Sequence, residues 1–409
     1  MGYNSVYGRL TTQPYRPPEM AITDCERIMS KPPLSVLNVS VLTLTPLLVL
    51  TVVPVYGFSV GYDLFEWLVF FLFLWASGFS VTGGYHRLWA HRSYEAHAAI
   101  RLCYAIWGAT AVQNSVFYWA SDHRRHHRYV DDHDLDPYSI QRGFWYAHIG
   151  WILRDYNPNS GDFSNIKDLQ RDPILRWQHK HYLALVLVTN LGLPLLLGYL
   201  HGKLWGTFLL AGLFRLVVNH HLTFLINSLA HYWGRRPYSE ANSSRDNSLL
   251  ALLTYGEGYH NYHHHFQYDY RNGNEWWHFD PTKWLIKVMT WLRLTNNLQK
   301  ASRFQIEKAK VQRQFRRALF DLEHQSHPEN VRHLLQHQYQ HFIATLTEWG
   351  KLKQDGYQSK RRAWQKTVQS LDLRLRRVEL HHRLKVQRKQ WRMVLDELIT
   401  HPGRSLPPA

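Results

Sequence analysis

Three stretches of this 409-residue chain carry no charged side chain: 32–62, 67–85 and 182–200. Each is mostly apolar and near the ~20 residues that a helix needs to cross a lipid bilayer. No other feature narrows the fold as much. The expected architecture is all-α and integral to the membrane, with four transmembrane helices in two hairpins. The first span covers about 34–58 and the second about 64–82. The second hairpin pairs 182–200 with 204–230 through His201–Lys203. Its last span carries Arg215, and a charge at that depth is expected to face the bundle interior and pair there.

Orientation follows from the Lys/Arg bias of the loops. The two short hairpin loops hold one Lys and no Arg. Arg87, Arg92, Arg171, Arg176, Lys180, Arg235 and Arg236 sit at the opposite ends, and Arg27 and Lys31 precede the first span. Both termini and the long connections are therefore expected to be cytoplasmic. Residues 102–120 are also uncharged and long enough to cross. A crossing there would separate His-rich segments onto opposite faces, so this stretch is read as buried under the cytoplasmic domain or lying in the interface.

The first 33 residues are polar and Pro-containing, too long a polar start for a signal peptide. The division expected is a polar segment 1–33, a membrane domain 34–296 and a basic helical extension 297–409. The extension holds 23 Lys and Arg against 10 Asp and Glu, which is +13 of the chain's +17. Helices are expected there at 298–323, 329–349 and 359–400, broken at His327-Pro328 and across 350–356. In the last of them Leu380, Leu384, Trp391, Val394 and Leu398 recur roughly on one face. The 17 Trp, 24 Tyr and 18 Phe exclude a disordered chain. Two cysteines, Cys25 and Cys103, exclude a disulfide scaffold and a Cys-rich zinc module.

The chain has 27 His, and nine of them form a pattern. His86 and His91 directly follow the second span. His123, His126 and His127 form a second cluster. His260, His263 and His264 form a third, entered through Gly256-Glu257-Gly258. His231 stands at the cytoplasmic end of the fourth span, with Asn227 one turn earlier. Offsets of three and four put the second and third clusters each on one helical face. The offset of five between His86 and His91 does not, which suits a helix end leaving the membrane. Nine imidazoles on one membrane face are enough for two metal ions. Imidazole suits Fe, Zn, Cu and Ni alike, so ligand type does not choose the metal.

These motifs resemble the membrane-bound fatty acyl desaturases, in particular the Δ9 acyl-CoA branch, in a bacterial type. The matching residues are Gly84–Arg92, Trp119–His127, Asn227–His231 and Gly256–His264, and the resemblance covers about 34–281. It implies that His86, His91, His123, His126, His127, His231, His260, His263 and His264 hold two irons, with Asn227 reaching one through water. It also implies a bent apolar acyl tunnel. Gln113, Trp119 and Thr223 would line its bend, Asn114 and Asp122 would lie near the thioester carrier, and Leu74 and Gly78 would lie near its blind end. Ser121, Arg154-Asp155 and His265-Phe266-Gln267 depart from the family pattern.

The activity implied is O2-dependent insertion of a cis double bond into a saturated acyl thioester or acyl lipid. O2 then takes four electrons, two from the chain and two from a donor. No flavin, haem or iron–sulfur motif is visible, so the donor would be a separate protein of ferredoxin, ferredoxin reductase or cytochrome b5 type. The expected location is a multi-pass position in a bacterial cytoplasmic membrane. Two rivals stand beside this: a membrane diiron hydroxylase, and a His-rich metal-binding or transport protein that would need a polar path through the bilayer.

The remaining features have blander readings. His97, His133, His148, His179, His181, His201, His220, His221, His265 and His278 are taken as structural or surface residues. The Trp-rich stretch 276–291 reads as an interfacial aromatic belt. His401-Pro402-Gly403-Arg404, near the chain's end, is read as a chance motif. The basic extension shows no base-reading motif, so nucleic acid is not an expected partner, and a helical appendage that docks a partner or lies on anionic lipid is favoured.

Overall fold

The structure is a computed structural model and describes residues 32–156, 161–324, 329–360 and 367–400. Four of its helices are long and apolar enough to cross a membrane: Val36–Ser59, Leu64–Ala90, Tyr182–His201 and Leu204–Tyr232. About half of the most apolar window of the second and fourth is buried, against 11% and 22% for the first and third. The second and fourth spans are therefore the inner pair. The first turns Leu37, Leu50 and Val55 outward, as a lipid-facing helix should.

The short loops of the two hairpins meet. Asp63 starts the second span with a capping box, accepting from the Glu66 amide at 3.1 Å while Glu66 accepts from its own amide at 2.7 Å. The Asp63 carboxylate also receives His201 Nε2 at 2.8 Å and lies 3.3 Å from Lys203 Nζ. This pins one end of the bundle and leaves the other free to carry the site. The stretch 102–120 does not cross. It breaks into the helices Ala98–Ala109 and Val116–Tyr129 around a turn, both packed under the second span's end.

The second span runs eight residues further than its hydropathy suggests, to Ala90. Its last eleven residues, Ser80–Ala90, are wound as a π-helix. The His91 amide donates to the His86 carbonyl at 3.0 Å, an i→i+5 bond. In this winding an offset of five is about one turn, so His86 and His91 share a face after all. That corrects the expectation drawn from α-helical spacing. Such winding is rare and gathers at functional sites.

Beyond the bundle, two short strands, Glu95–Ala96 and Thr295–Asn296, pair antiparallel and tie the first His box to the chain's later half. The extension forms helices Arg303–His324, Glu329–Lys360 and Thr367–Thr400. Leu335, Phe342, Leu346, Leu384 and Trp391 make their core. The break expected across 350–356 is absent, because the second of these helices continues to Lys360. One glycine inside a helix costs only about 1 kcal/mol, and the space over Gly350 is taken by the Phe304 ring, 3.0 Å from where a Cβ would stand. His327-Pro328, Arg27, Lys31 and 401–404 lie outside the described residues.

A candidate two-metal centre of nine histidines

The nine histidines converge at the end of the bundle away from the hairpin loops, in two groups. His86, His91, His123, His127 and His263 form one; His126, His231, His260 and His264 form the other. Within each, the ligand nitrogens lie within 4.8 Å of one another. The two box helices supply both groups. On Val116–Tyr129 the i,i+4 pair His123 and His127 serves the first, and His126 the second. On His260–His265 the i,i+4 pair His260 and His264 serves the second, and His263 the first.

The proton positions test whether a cation fits. His86 Nδ1 is 2.9 Å from Glu257 and His126 Nδ1 is 2.9 Å from Asp136. A carboxylate accepts, so both Nδ1 atoms carry the proton. The Ser243 hydroxyl donates to Asp131 and so accepts from His231 Nδ1 at 2.7 Å. Each of these rings then presents a bare Nε2 lone pair. Those atoms face other Nε2 atoms: His86 to His263 at 2.9 Å, His126 to His264 at 3.2 Å, and His231 to His260 at 3.0 Å. A facing ring has at most one Nε2 proton, yet His263 Nε2 meets both His86 and His127, and His260 Nε2 meets both His231 and His264, so lone pairs are left facing one another unless a cation sits among them. The donor set therefore fits one metal ion per group, with carboxylate or hydroxyl partners orienting the rings behind.

The electrostatics agree. Burial, and then the neighbouring imidazoles, hold His91, His123, His127, His263 and His264 well below the usual histidine range. His260 is pushed down to about 3. These rings stay neutral, as ligands must. Burial alone would raise the Glu257 carboxyl, but His86 and Arg87 hold it down to about 2. Arg87, itself buried, bonds Glu257 at 3.0 Å and Asp280 at 3.1 Å. The Gly-Glu-Gly entry is needed for this placement. Gly256 sits at φ +100°, and a Cβ on Gly258 would stand 2.2 Å from the Ala251 amide nitrogen.

A cavity of about 820 Å³ runs past the histidines into the bundle. Gln113, Asn114, Trp119, Asp122 and Thr223 line it, as does Gly78. Leu74 is not among its lining residues and packs instead with Val53 and Leu210. Asn227 also lines the cavity, as does His260. Trp119 Nε1 donates to Gln113 Oε1 at 3.2 Å, and Gln113 Nε2 donates to Thr223 Oγ1 at 2.9 Å. The Trp119 ring stacks on His123 at 4.9 Å between centroids. Burial raises the Asp122 carboxyl to about 6, although Arg125 beside it acts to lower it. Of the departing residues, Ser121 is buried against Asn165, Arg154 Nη1 donates to the Pro32 carbonyl at 2.7 Å, and Phe266 packs with Tyr262.

Sequence reasoning missed Glu257, Asp136, Asp131 and Ser243. Glu257 stands in the Gly-Glu-Gly entry to the third box, where its neighbours in sequence give no sign that it meets His86. The other three have no fixed spacing to their histidines.

Fold and site together define a class: a helical membrane protein that gathers nine imidazoles into two nitrogen clusters at one end of its inner spans. The chain belongs to the fatty acid desaturase family, whose pattern matches residues 65–316. It is 44% identical over 248 residues to "Acyl-CoA desaturase 1" of Saccharomyces cerevisiae, covering 60% of this chain and 48% of that protein. "Probable acyl-CoA desaturase" of Schizosaccharomyces pombe is 43% identical over 247 residues, covering 60% and 51%. "Stearoyl-CoA desaturase 5" of Homo sapiens is 40% identical over 250 residues, covering 60% and 75%. The chain thus spans about half the length of the two yeast relatives. All three are eukaryotic, and nothing among them supports a bacterial branch.

Proposed function

We propose that the chain is an O2-dependent fatty acyl desaturase that forms a cis double bond, at the Δ9 position, in a saturated chain carried as a CoA thioester or on a lipid. The observation that carries this reading is the cavity that passes directly beside both nitrogen clusters. Its relatives' names, acyl-CoA and stearoyl-CoA desaturase, point the same way. The two groups of histidines would each hold one iron, with Asn227 reaching the second group's ion through water. Bound there, the irons would supply O2 activation strong enough to attack an unactivated C–H bond, for which side-chain acids and bases have no means.

The chain's own residues then hold the substrate. Trp119, Gln113 and Thr223 form a hydrogen-bonded bridge at the cavity wall and set the bend at which the acyl chain passes the histidines. Apolar walls exclude water from the reacting carbons. Asn114 and Asp122 serve the carrier end. Two electrons come from a separate donor protein of ferredoxin or cytochrome b5 type. The Lys/Arg distribution supports an orientation with site and termini on the cytoplasmic face, reachable by such a donor.

The test is expression of the full chain in a host whose lipids are profiled, with mass spectrometry locating any new functional group. A new C9 double bond is the expected result. A new hydroxyl would instead identify a hydroxylase, and metal uptake without any new lipid would identify a metal-binding or transport protein.

A further inference from the structure

The turn between the helices Ala98–Ala109 and Val116–Tyr129 is strained. Val112 has φ +52° and Asn114 φ +73°. Asparagine tolerates the left-handed region, but a β-branched valine there is an outlier that persists only where the surroundings over-determine it. Between the two sits Gln113, which bridges Thr223 and Trp119.

What holds the turn comes from one face of the fourth span. Arg215 Nη1 donates to the Thr110 carbonyl at 2.8 Å. His220 Nε2 donates to the Ala111 carbonyl at 2.9 Å, with the Val112 carbonyl at 3.3 Å. Thr223 completes the row through Gln113. Arg215 is fully buried, and its other donors go to the Ala211 and Gly212 carbonyls and to Asn190. Its partners are amide and carbonyl oxygens, and among the described residues it has no carboxylate within ion-pair distance. A guanidinium at membrane depth is costly to keep there. Here three consecutive carbonyls of a strained turn receive the only cation and the only histidine that reach them from that span.

We propose that Arg215 and His220 are positioning residues that fix where along the acyl chain the new bond forms. They act by locking the Val112–Asn114 turn, and through it Gln113 and Trp119, against the cavity. Trp119 stacks on His123, so a shift of the turn changes which carbon lies opposite the histidine clusters. This inference rests on the desaturase reading above.

The experiment compares the full wild-type chain with His220→Leu, His220→Gln and Arg215→Met in a host fed one saturated acyl chain. Mass spectrometry maps the double-bond positions, and metal content is measured on purified protein. Wild type is expected to give one position. His220→Leu and Arg215→Met are expected to raise minor positional isomers roughly tenfold, because small misplacements alter rates strongly, with metal content unchanged. His220→Gln keeps an N–H donor and is expected to restore the single position. A single, unshifted position in His220→Leu with full metal content would overturn the proposal, and it does so whether or not Arg215→Met folds. If wild type forms a hydroxyl at one position, the desaturase reading fails while the oxygen's position still reads out the effect of His220.

Discussion

At the residue scale, three rings of the centre, His86, His126 and His231, are held from behind by Glu257, Asp136 and Ser243. Changing His126→Ala or His263→Ala removes one proposed ligand from one group. Metal analysis of either variant is expected to show the loss of at least one of two ions, with no product formed. A variant with wild-type metal content and activity would contradict the ligand assignment. Glu257→Gln probes the next layer. It leaves His86 in place but weakens its orienting partner, and the expected result is a 10- to 100-fold loss of metal affinity. The convergence of the nine histidines was legible because three boxes and a span end carry them at short spacings. Glu257 and Asp136 were not, because a carboxylate that meets a histidine across the fold leaves no periodic trace. Gly78 shows the same limit. Resemblance marks it as tunnel lining, yet only the structure shows that a Cβ there would stand 2.2 Å from the Tyr255 ring. Gly78→Ala is therefore expected to displace Tyr255 into the cavity and shift product toward shorter chains. Tyr255→Leu in the same protein should reverse that shift, read by chain-length profiling.

At the element scale the spans were plain from the missing charges, and their ends were not. Hydropathy stops where Gly83 and Gly84 begin, but the backbone continues as a π-helix because the turns of the first box still pack inside the protein. Likewise Gly350 and Gly356 read as a break, while tertiary packing over Gly350 keeps the helix whole. The extension poses a boundary question of its own. Ala301, Ile306 and Ala309 are buried with Tyr259, Tyr262 and Phe266 around the third box, and the Ala301 amide donates to Asp269 at 2.8 Å. We propose that the membrane domain needs the helix Arg303–His324. Ending the chain after Asn296 should lower metal content and melting temperature together. Ending it after His324 should spare the metal, and equal metal loss in both would place the whole extension in the active domain.

At the scale of the whole molecule, burying so many neutral imidazoles ties stability to acidity. The unfolded chain takes up protons on histidine near 6.5, whereas His260 resists until about 3. The unfolded state therefore binds more protons below 6.5, and stability falls as the pH drops. His260 alone contributes roughly 2 kcal/mol of destabilisation near pH 5. The metal-free protein is expected to lose melting temperature steadily between about pH 7 and pH 5. The metal-loaded form should resist until protons displace the ions.

The division of each box helix between the two groups has a kinetic and thermodynamic meaning. Val116–Tyr129 carries histidines of both groups on successive turns, and so does His260–His265. An ion that settles in one group fixes the rotation and height of both helices. That fixes the nitrogens of the other group before anything binds there. The second ion then meets a site whose ordering entropy has already been lost, so its affinity rises. Titrating the metal-free protein should give a sigmoidal curve with few singly loaded molecules. The protein would behave as a two-position latch, either empty or full, which would keep a lone ion of the proposed iron pair from meeting O2 without its partner.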